Sequence, residues 1–353
     1  MILFPFGKQR NGQVGIAFYD GGITIGQCSW KNGTYSTASI KRFECNLSEL
    51  TSADWRNMVA SASVIGSECC LALPPSLAHH QVLRLPNMAD TEVKEAAAWE
   101  MADRLNVNKG SLQMDAYPIG TGGDVLALAI ELSTLRDILD PMYEAGLQPS
   151  AIEPQCASVT RTMSMLHRRQ GDQNIVRSVL DFGMHDSAFM VLAGDSMMFY
   201  KHLDYSGNEL IHWIAKHTGV TDSQAIRMLE QSKRHDEIND ISKAVRNATR
   251  SIHESIATDA MKCIRHYGVT NRGPLSSELI ITGSAGWNAN LASTLSTACS
   301  QDVLQDVRLP HIQSLSSQNL LQPGWHVALG ASLSSLPIGQ ERRSSGLKSK
   351  GAA

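Results

Sequence analysis

Two stretches of similar outline, SVLDFGMHDSAFMVL (178–192) and VGIAFYDGGITI (14–25), decide the fold of this chain. Each consists of an apolar run, a short break that contains aspartate and glycine, and a second apolar run. Apolar runs of this length, separated by such a break, are typical of β-hairpins. We therefore predict a hairpin at each stretch, with the break forming its turn.

The similarity continues beyond each hairpin, because a third strand is predicted after both. The predicted strands lie at 14–19, 23–30 and 35–43, and again at 177–182, 187–192 and 196–202. The second group follows the first by about 163 residues. Repetition at the spacing of a whole domain indicates a duplicated lobe rather than a solenoid of short repeats.

The composition indicates a globular protein with more than one domain. The chain has 353 residues, of which 42% are hydrophobic and 18% are charged. Its net charge of −3 gives no support for a nucleic-acid partner, since such partners select a basic surface. No apolar run is long enough to span a bilayer. The seven cysteines include no C-x-x-C pair, so we predict buried free thiols in a reducing cytoplasm.

Two further segments have clear helical patterns. The segment between the two groups of strands contains an amphipathic helix, ADTEVKEAAAWEMADRL (89–105), and a hairpin around IGTGGD (119–124). The segment 236–267 keeps apolar residues at a spacing of three to four, which predicts one long helix that Gly268 ends. Residues 337–353 contain almost no apolar side chains and are predicted to be disordered.

Several motifs, taken in order, resemble those of PilM-type proteins, which are actin-like components of type IV pilus biogenesis related to MshI and GspL. LRLPNMADTEVKEAAAWE (83–100) resembles the inserted subdomain of that family, and AIEPQCASVTR (151–161) resembles its return strand and helix. SVLDFGMHDSAFMVL resembles its second phosphate-binding hairpin. ELIITGSAGWNANLASTLS (278–296) is similar to its adenosine motif, and GWHVALGASL (324–333) to its terminal helix.

The resemblance implies an α/β, two-lobed actin-like ATPase fold, with duplicated lobes and an α+β inserted subdomain like that of PilM and FtsA. The implied first lobe comprises 13–75, 150–168 and 324–336, and the insert comprises 76–149. The implied second lobe comprises 175–205 and 276–323, with a helical subdomain at 206–275.

The resemblance also implies a site for ATP and Mg²⁺ between the lobes. Glycine-rich turns offer backbone N–H groups to phosphates, and an acid at the end of a strand holds the waters of the metal. Asp181 is the implied magnesium residue, acting through water. The implied nucleotide-binding residues are Asp181, Gly183, His185, Asp186, Ser187, Gly207, Gly283, Ser284, Ala285, Asp20 and Gly21. A plain β-hairpin turn explains the same aspartate and glycine at Asp181 and Gly183 equally well.

The first hairpin departs from the family pattern. Ala17 stands where the family has its first acid, Phe18 and Tyr19 are bulky, and Asp20 falls within the turn. Phosphoryl transfer depends on the positioning of metal and charge. We therefore predict a partly degenerate nucleotide site and no enzymatic activity.

The resemblance implies an adaptor on the inner face of the inner membrane. Its implied partner is the N-terminal tail of a PilN-like bitopic membrane protein, bound in a groove between the first lobe and the insert. We place that groove at Leu83, Leu85, Val93 and Trp99. The chain is expected to be cytoplasmic, to reach the membrane through this partner, and to contact other pilus-assembly proteins.

Three alternatives stay open at this point. The first is an active ATPase or small-molecule kinase of the same superfamily. The second is a GspL-like component of type II secretion, and the third is a self-assembling filament protein. The inserted subdomain permits self-association, but no motif requires it. A kinase needs a catalytic acid near the cleft, which the sequence does not identify.

Overall fold

The computed structural model describes residues 9–336, apart from 87, 121–122, 168–169, 235–239, 272–273, 287, 306, 308 and 310–311. The predicted tail at 337–353 therefore lies outside the described residues. The strands are β1 (Arg10–Asn11), β2 (Val14–Tyr19), β3 (Gly22–Lys31), β4 (Thr34–Glu44), β5 (Glu68–Leu73), β6 (His79–Arg84), β7 (Leu112–Ile119), β8 (Asp124–Glu131), β9 (Gln148–Pro154), β10 (Val176–Phe182), β11 (Ser187–Ala193), β12 (Ser196–Leu203), β13 (Glu278–Thr282), β14 (Asp302–Leu304) and β15 (Ile312–Gln313). The helices are α1 (Ser52–Ala62), α2 (Asp90–Leu105), α3 (Leu132–Glu144), α4 (Gln155–Ser164), α5 (Gly207–Thr218), α6 (Asp222–Arg234), α7 (Asp240–Asn271), α8 (Ala289–Cys299), α9 (Ser317–Leu320) and α10 (Trp325–Leu333).

The first sheet has the order β15-β4-β3-β2-β5-β9, with β1 paired to β3. Strands β2, β3 and β4 are antiparallel, and β5 and β9 continue the sheet in parallel with β2. Every residue of β2 is buried, which explains why its sequence is continuously apolar rather than alternating. The turns after β2 and β3 are Asp20-Gly21 and Asn32-Gly33, and all four residues have positive φ, as a type I′ turn requires.

The second sheet repeats this arrangement. Its order is β12-β11-β10-β13-β14, with β10, β11 and β12 antiparallel and with β13 and β14 parallel to β10. The same sequence of pairings in both sheets shows that the two lobes are duplicated. We call the first sheet with its helices the first lobe, and the second sheet with its helices the second lobe.

A third, antiparallel sheet, β6-β8-β7, forms the insert between β5 and β9. Helix α2 packs on it through Ala97, Met101 and Ala102, which share a buried cluster with Leu83 and Ala127. The insert also contacts the second lobe, because the N–H of Gly120 donates a hydrogen bond of 3.2 Å to the carbonyl of Met197 in β12. The insert is therefore connected to both lobes.

The lobes share one apolar core. A cluster of buried side chains runs from the first sheet, with Ala17 and Ala72, to the second sheet, with Val179, Met190 and Ile280. Its middle is filled by α4 and α10. Burial of apolar side chains across this boundary stabilises a closed arrangement of the two lobes.

Helix α10 is buried along its whole length and crosses α4 at very short range. A Cβ on Gly330 would lie 1.9 Å from the carbonyl oxygen of Ser158 in α4. The forked guanidinium of Arg161 in α4 binds both carboxylate oxygens of Glu153 at 2.8 Å and the carbonyl of Gly330 at 2.6 Å. These contacts fix the terminal helix against the first lobe.

Two predicted boundaries are wrong. Helix α7 continues through Gly268 to Asn271, where glycine leaves room for the packed side chain of Leu275. The segment 276–323 was expected in the second lobe, but Ile312–Gln313 pairs in parallel with Tyr35–Ser36 of the first sheet. We keep the rest of the predicted division into lobes and subdomains as a proposal.

All seven cysteines are free, and five of them are buried. Burial raises the pKa of the Cys28 and Cys156 thiols to about 12, so both are protonated at neutral pH.

Among the residues that the structure describes, no helix combines the length and the apolar character needed to cross a membrane.

Candidate functional site

The turn of the first hairpin reaches the turn of the second hairpin across the boundary between the lobes. The backbone N–H of Met184 donates a hydrogen bond of 2.6 Å to Asp20 Oδ1. The hydroxyl of Ser284, in the loop after β13, donates a second hydrogen bond to Asp20 Oδ2. One carboxylate of the first lobe therefore accepts hydrogen bonds from two separate segments of the second lobe.

A second connection between the lobes centres on Asp181, which lies near the end of β10 and is only 6% exposed. The hydroxyl of Tyr19 donates a hydrogen bond of 2.8 Å to Asp181 Oδ1. The Nε2 atom of His326, at the start of α10, lies 3.1 Å from the same oxygen, and His326 is fully buried. Both partners of Asp181 thus belong to the first lobe.

The rest of the second turn is also in contact with other residues. Asp186 accepts a hydrogen bond of 2.8 Å from the Ser76 hydroxyl, in the loop between β5 and β6. His185 lies beside Gly21, since a Cβ on that glycine would be 3.4 Å from the imidazole ring. Ser187 is buried, and its hydroxyl has no hydrogen-bond partner within the described part of the chain.

Burial and neighbouring charges shift several pKa values at this boundary. Burial, followed by the charge of Asp181, raises the pKa of Tyr19 well above its usual value, which keeps its hydroxyl protonated as a donor. Burial also raises the pKa of Asp20, although the hydrogen bonds that it accepts oppose this effect. Burial acts to raise the pKa of Asp186, but its neighbours, His202 first, outweigh it and lower that pKa.

The glycines that were predicted to face phosphate pack against protein atoms instead. A Cβ on Gly183 would lie 2.8 Å from Asp20 Oδ1, and a Cβ on Gly207 would lie 2.5 Å from Sδ of Met184. Gly283 has a φ of 91°, and a Cβ on it would lie 2.5 Å from the carbonyl oxygen of Phe182 at the end of β10. These three glycines permit close contact between protein segments.

The backbone N–H groups of the predicted nucleotide site also donate hydrogen bonds to other protein groups. The N–H groups of Gly207 and Asn208, which begin α5, donate to the carbonyls of Gly183 and Met184 at 2.9 and 3.0 Å. The N–H of the buried Ala285 donates to the β10 backbone at 2.9 Å. No group of three or more metal-ligating side chains is found among the described residues. Because these backbone donors are occupied by protein groups, the predicted ATP does not fit this arrangement, although the predicted residues do come together around Asp20.

The four residues that were predicted to form a partner groove do not form one surface. Leu83 is 1% exposed and lies within the core of the insert, so that part of the prediction is wrong. Leu85 and Val93 are partly buried against the same core. Trp99 is 63% exposed, and the ammonium group of Lys109 lies 4.7 Å from the centre of its ring. Helix α2 covers the face of the sheet on which we placed the groove.

A groove does lie between the insert and the first lobe, but at a different place. It has a volume of about 900 Å³. One wall is β7 of the insert, the floor is α4 and the end of α10, and a further wall is the hairpin of β11 and β12 in the second lobe. Its lining side chains include Tyr117, Ala157, Arg161, Met197 and Leu336.

Sequence reasoning missed three residues that organise these sites. Tyr19 was read only as bulky, and His326 and Met184 were not singled out. His326 offers a signal in the sequence, because it is the one polar side chain with a titratable group in the otherwise apolar stretch GWHVALGASL. Such a residue at a buried helix position requires a polar partner.

No protein-family model and no curated protein matches the sequence. A chain of the solved PilM–PilN type IV pilus biogenesis complex is similar in structure, with a TM-score of 0.70 and 16% identity, over 91% of this chain and 98% of that chain. The chain has a PilM-like fold. The ethanolamine utilization protein EutJ from Carboxydothermus hydrogenoformans is also similar, with a TM-score of 0.51 and 12% identity, over 94% of this chain and 92% of that chain. The PilM-like fold agrees with the duplicated sheets and with the insert between β5 and β9.

Proposed function

We propose that this PilM-like chain is a cytoplasmic adaptor of type IV pilus biogenesis, or of a related MSHA-type pilus. It binds the N-terminal tail of a PilN-like bitopic protein and is held at the inner membrane by that partner. The observation that carries the proposal is the similarity to the PilM–PilN complex over 91% of this chain. The proposed role is assembly, and no hydrolysis step is required for it.

The groove of about 900 Å³ supports this proposal, because it lies at the junction of the insert and the first lobe. Its size is within the usual range for ligand sites, roughly 300–1,000 Å³. The lining combines apolar side chains such as Met197 and Leu333 with hydroxyls such as Ser164 and Ser334. Apolar anchors of a short extended tail fit such a surface, while the hydroxyls satisfy its backbone.

The closed cleft supports a role without catalysis. Asp181 is hydrogen-bonded to Tyr19, and the turn beside it holds Asp20. A working phosphoryl-transfer site needs these groups to face metal and phosphate. An adaptor needs only a stable shape.

A direct binding measurement tests the proposal. The PilN-like protein of the same pilus system is placed in nanodiscs, and its binding to the purified chain is measured with and without its cytoplasmic N-terminal tail. We expect binding that depends on the tail. The variant Ala157→Tyr, which places a large ring in the groove, is expected to weaken binding at least about tenfold, a loss of roughly 1.4 kcal/mol.

The matched control is Ser293→Tyr, an equally large addition on the exposed face of α8, which lines no part of the groove. This variant should bind as the wild type does. Equal binding of a tail-deleted partner would contradict the proposal, and so would an unchanged affinity of a folded Ala157→Tyr variant.

A further inference from the structure

The Asp20 carboxylate of the first lobe binds donors of the second lobe. Its two oxygens accept hydrogen bonds from a backbone N–H of the second hairpin turn and from the hydroxyl of Ser284 in the loop after β13. Backbone N–H groups in glycine-rich turns form concave anion sites. Here the anion is a side chain of the same molecule.

The backbone at Asp20 supports this interpretation. Its φ of 48° is in the left-handed region, where side chains other than glycine are uncommon. With this turn conformation, the carboxylate lies across the boundary between the lobes, against Gly183. A β-branched side chain tolerates this φ poorly, whereas aspartate, asparagine and glycine tolerate it.

We propose that Asp20 is a built-in anion that fills the phosphate position of the second hairpin and latches the two lobes together. A phosphate-bearing ligand reaches this position only when Asp20 leaves it. The inference concerns the interlobe cleft alone and does not depend on the proposed partner or its groove.

The neighbouring contacts strengthen the latch. The hydrogen bond from Tyr19 to Asp181 joins the same two hairpins on the other side of the turn. The two lobes also share a continuous apolar core, to which Tyr19 belongs. Because the carboxylate is covalently part of the first lobe, it competes with any free anion as an intramolecular ligand.

The competition has a measurable consequence. If Asp20 leaves the Met184 N–H and the Ser284 hydroxyl free in only a small fraction of molecules, the apparent affinity for a ligand is the intrinsic affinity multiplied by that fraction. Removal of the Asp20 carboxylate should therefore raise the affinity for a phosphate chain. The same change should loosen the boundary between the lobes.

The experiment uses the full chain and Mg·ATP as the probe. Asp20→Gly removes the carboxylate and keeps a residue that accepts the positive φ. We expect its dissociation constant for Mg·ATP, from calorimetry, to be at least about tenfold lower than that of the wild type. We also expect faster hydrogen exchange in the peptide that contains Met184.

Asp20→Asn is a second variant in case Asp20→Gly folds poorly, because asparagine keeps the size of the side chain and the turn conformation. Its amide oxygen still accepts from Met184, so both effects should be smaller than in Asp20→Gly. Glu209→Gln is the control for charge, since it removes a negative charge from the first turn of α5, beside the second hairpin turn, and leaves the donors of Asp20 occupied. It should not gain affinity.

Three results would overturn the latch. The first is a wild-type affinity for Mg·ATP equal to that of Asp20→Gly. The second is unchanged hydrogen exchange at Met184 in both Asp20 variants. The third is an equal gain of affinity in Glu209→Gln, which would mean that charge rather than occupancy controls binding.

Discussion

Tyr19 and Asp181 lie 162 positions apart in the sequence, and the hydroxyl of the first donates a hydrogen bond of 2.8 Å to the carboxylate of the second. Tyr19 ends β2 of the first hairpin, and Asp181 lies near the end of β10 of the second hairpin. The two hairpins therefore bind each other through a phenol and a carboxylate.

Tyr19→Phe is expected to destabilise the protein. The change leaves Asp181 with His326 as its remaining partner, and the loss of one partner from a buried carboxylate costs about 1–3 kcal/mol. Urea unfolding followed by tryptophan fluorescence measures the effect. Tyr143→Phe is the control, since Tyr143 is 53% exposed. Equal free energies of unfolding for the two variants would contradict the importance of this bond.

Gly330→Ala is expected to disrupt the packing of α10 on α4. The new methyl group would lie 1.9 Å from the Ser158 carbonyl oxygen, which forces the helices apart. Overpacking of this kind costs about 1–3 kcal/mol and sometimes more. Gly171→Ala is the control, because Gly171 is exposed and no atom lies within 4 Å of its Cβ position. A thermal unfolding midpoint for Gly330→Ala equal to that of the control would refute the predicted clash.

Arg161→Lys is expected to weaken the connection between β9, α4 and α10. Lysine keeps the charge but loses the fork that binds both oxygens of Glu153. We expect a loss of about 1–3 kcal/mol in urea unfolding, as for hydrogen bonds to charged groups. Arg250→Lys alters an exposed pair with Glu254, which is expected to contribute less than about 1 kcal/mol. The interpretation fails if both variants unfold alike.

Stability is expected to fall as the pH decreases below about 6.5. Burial lowers the pKa of His80 to about 3 and that of His253 to about 4, so the native state holds both rings neutral. The unfolded chain binds protons at a pKa near 6.5, and acid therefore favours unfolding down to these native values. Each histidine should cost roughly 2 kcal/mol between pH 7 and pH 5.

His80→Gln should reduce this dependence on pH, because the buried titrating ring is removed. Unfolding free energies measured from pH 7.5 to pH 5 should fall less steeply for this variant than for the wild type. His212→Gln is the control, because it makes the same substitution at an exposed side chain. A slope for His80→Gln identical to that of the wild type would mean that His80 does not contribute.

Local patterns were sufficient to predict the duplicated hairpins. The strand 14–19 was predicted with its observed bounds, and the Asp20-Gly21 and Asn32-Gly33 turns are present as expected. These features depend on residues that are neighbours in the sequence, such as an apolar run followed by a residue with positive φ. The PilM-like fold, predicted from the order of several short motifs, is confirmed by the structural similarity to a chain of the PilM–PilN complex.

The contacts between distant segments were not predictable in the same way. The sequence places Asp20 in a tight turn, but only the packed lobes show that Met184 and Ser284 surround it. Leu83 lies in a short strand, and its alternation with Leu85 suits an exposed groove or a small core equally well. The structure decides for the core, since α2 covers that face.

The hydrogen bond between Gly120 and Met197 gives the groove its third wall, because it holds the insert against β12 of the second lobe. A surface bounded by both lobes changes its width whenever the angle between them changes. A rotation of one lobe against the other would therefore alter the fit of any chain docked in the groove, so that docking and the interlobe angle would be mechanically coupled.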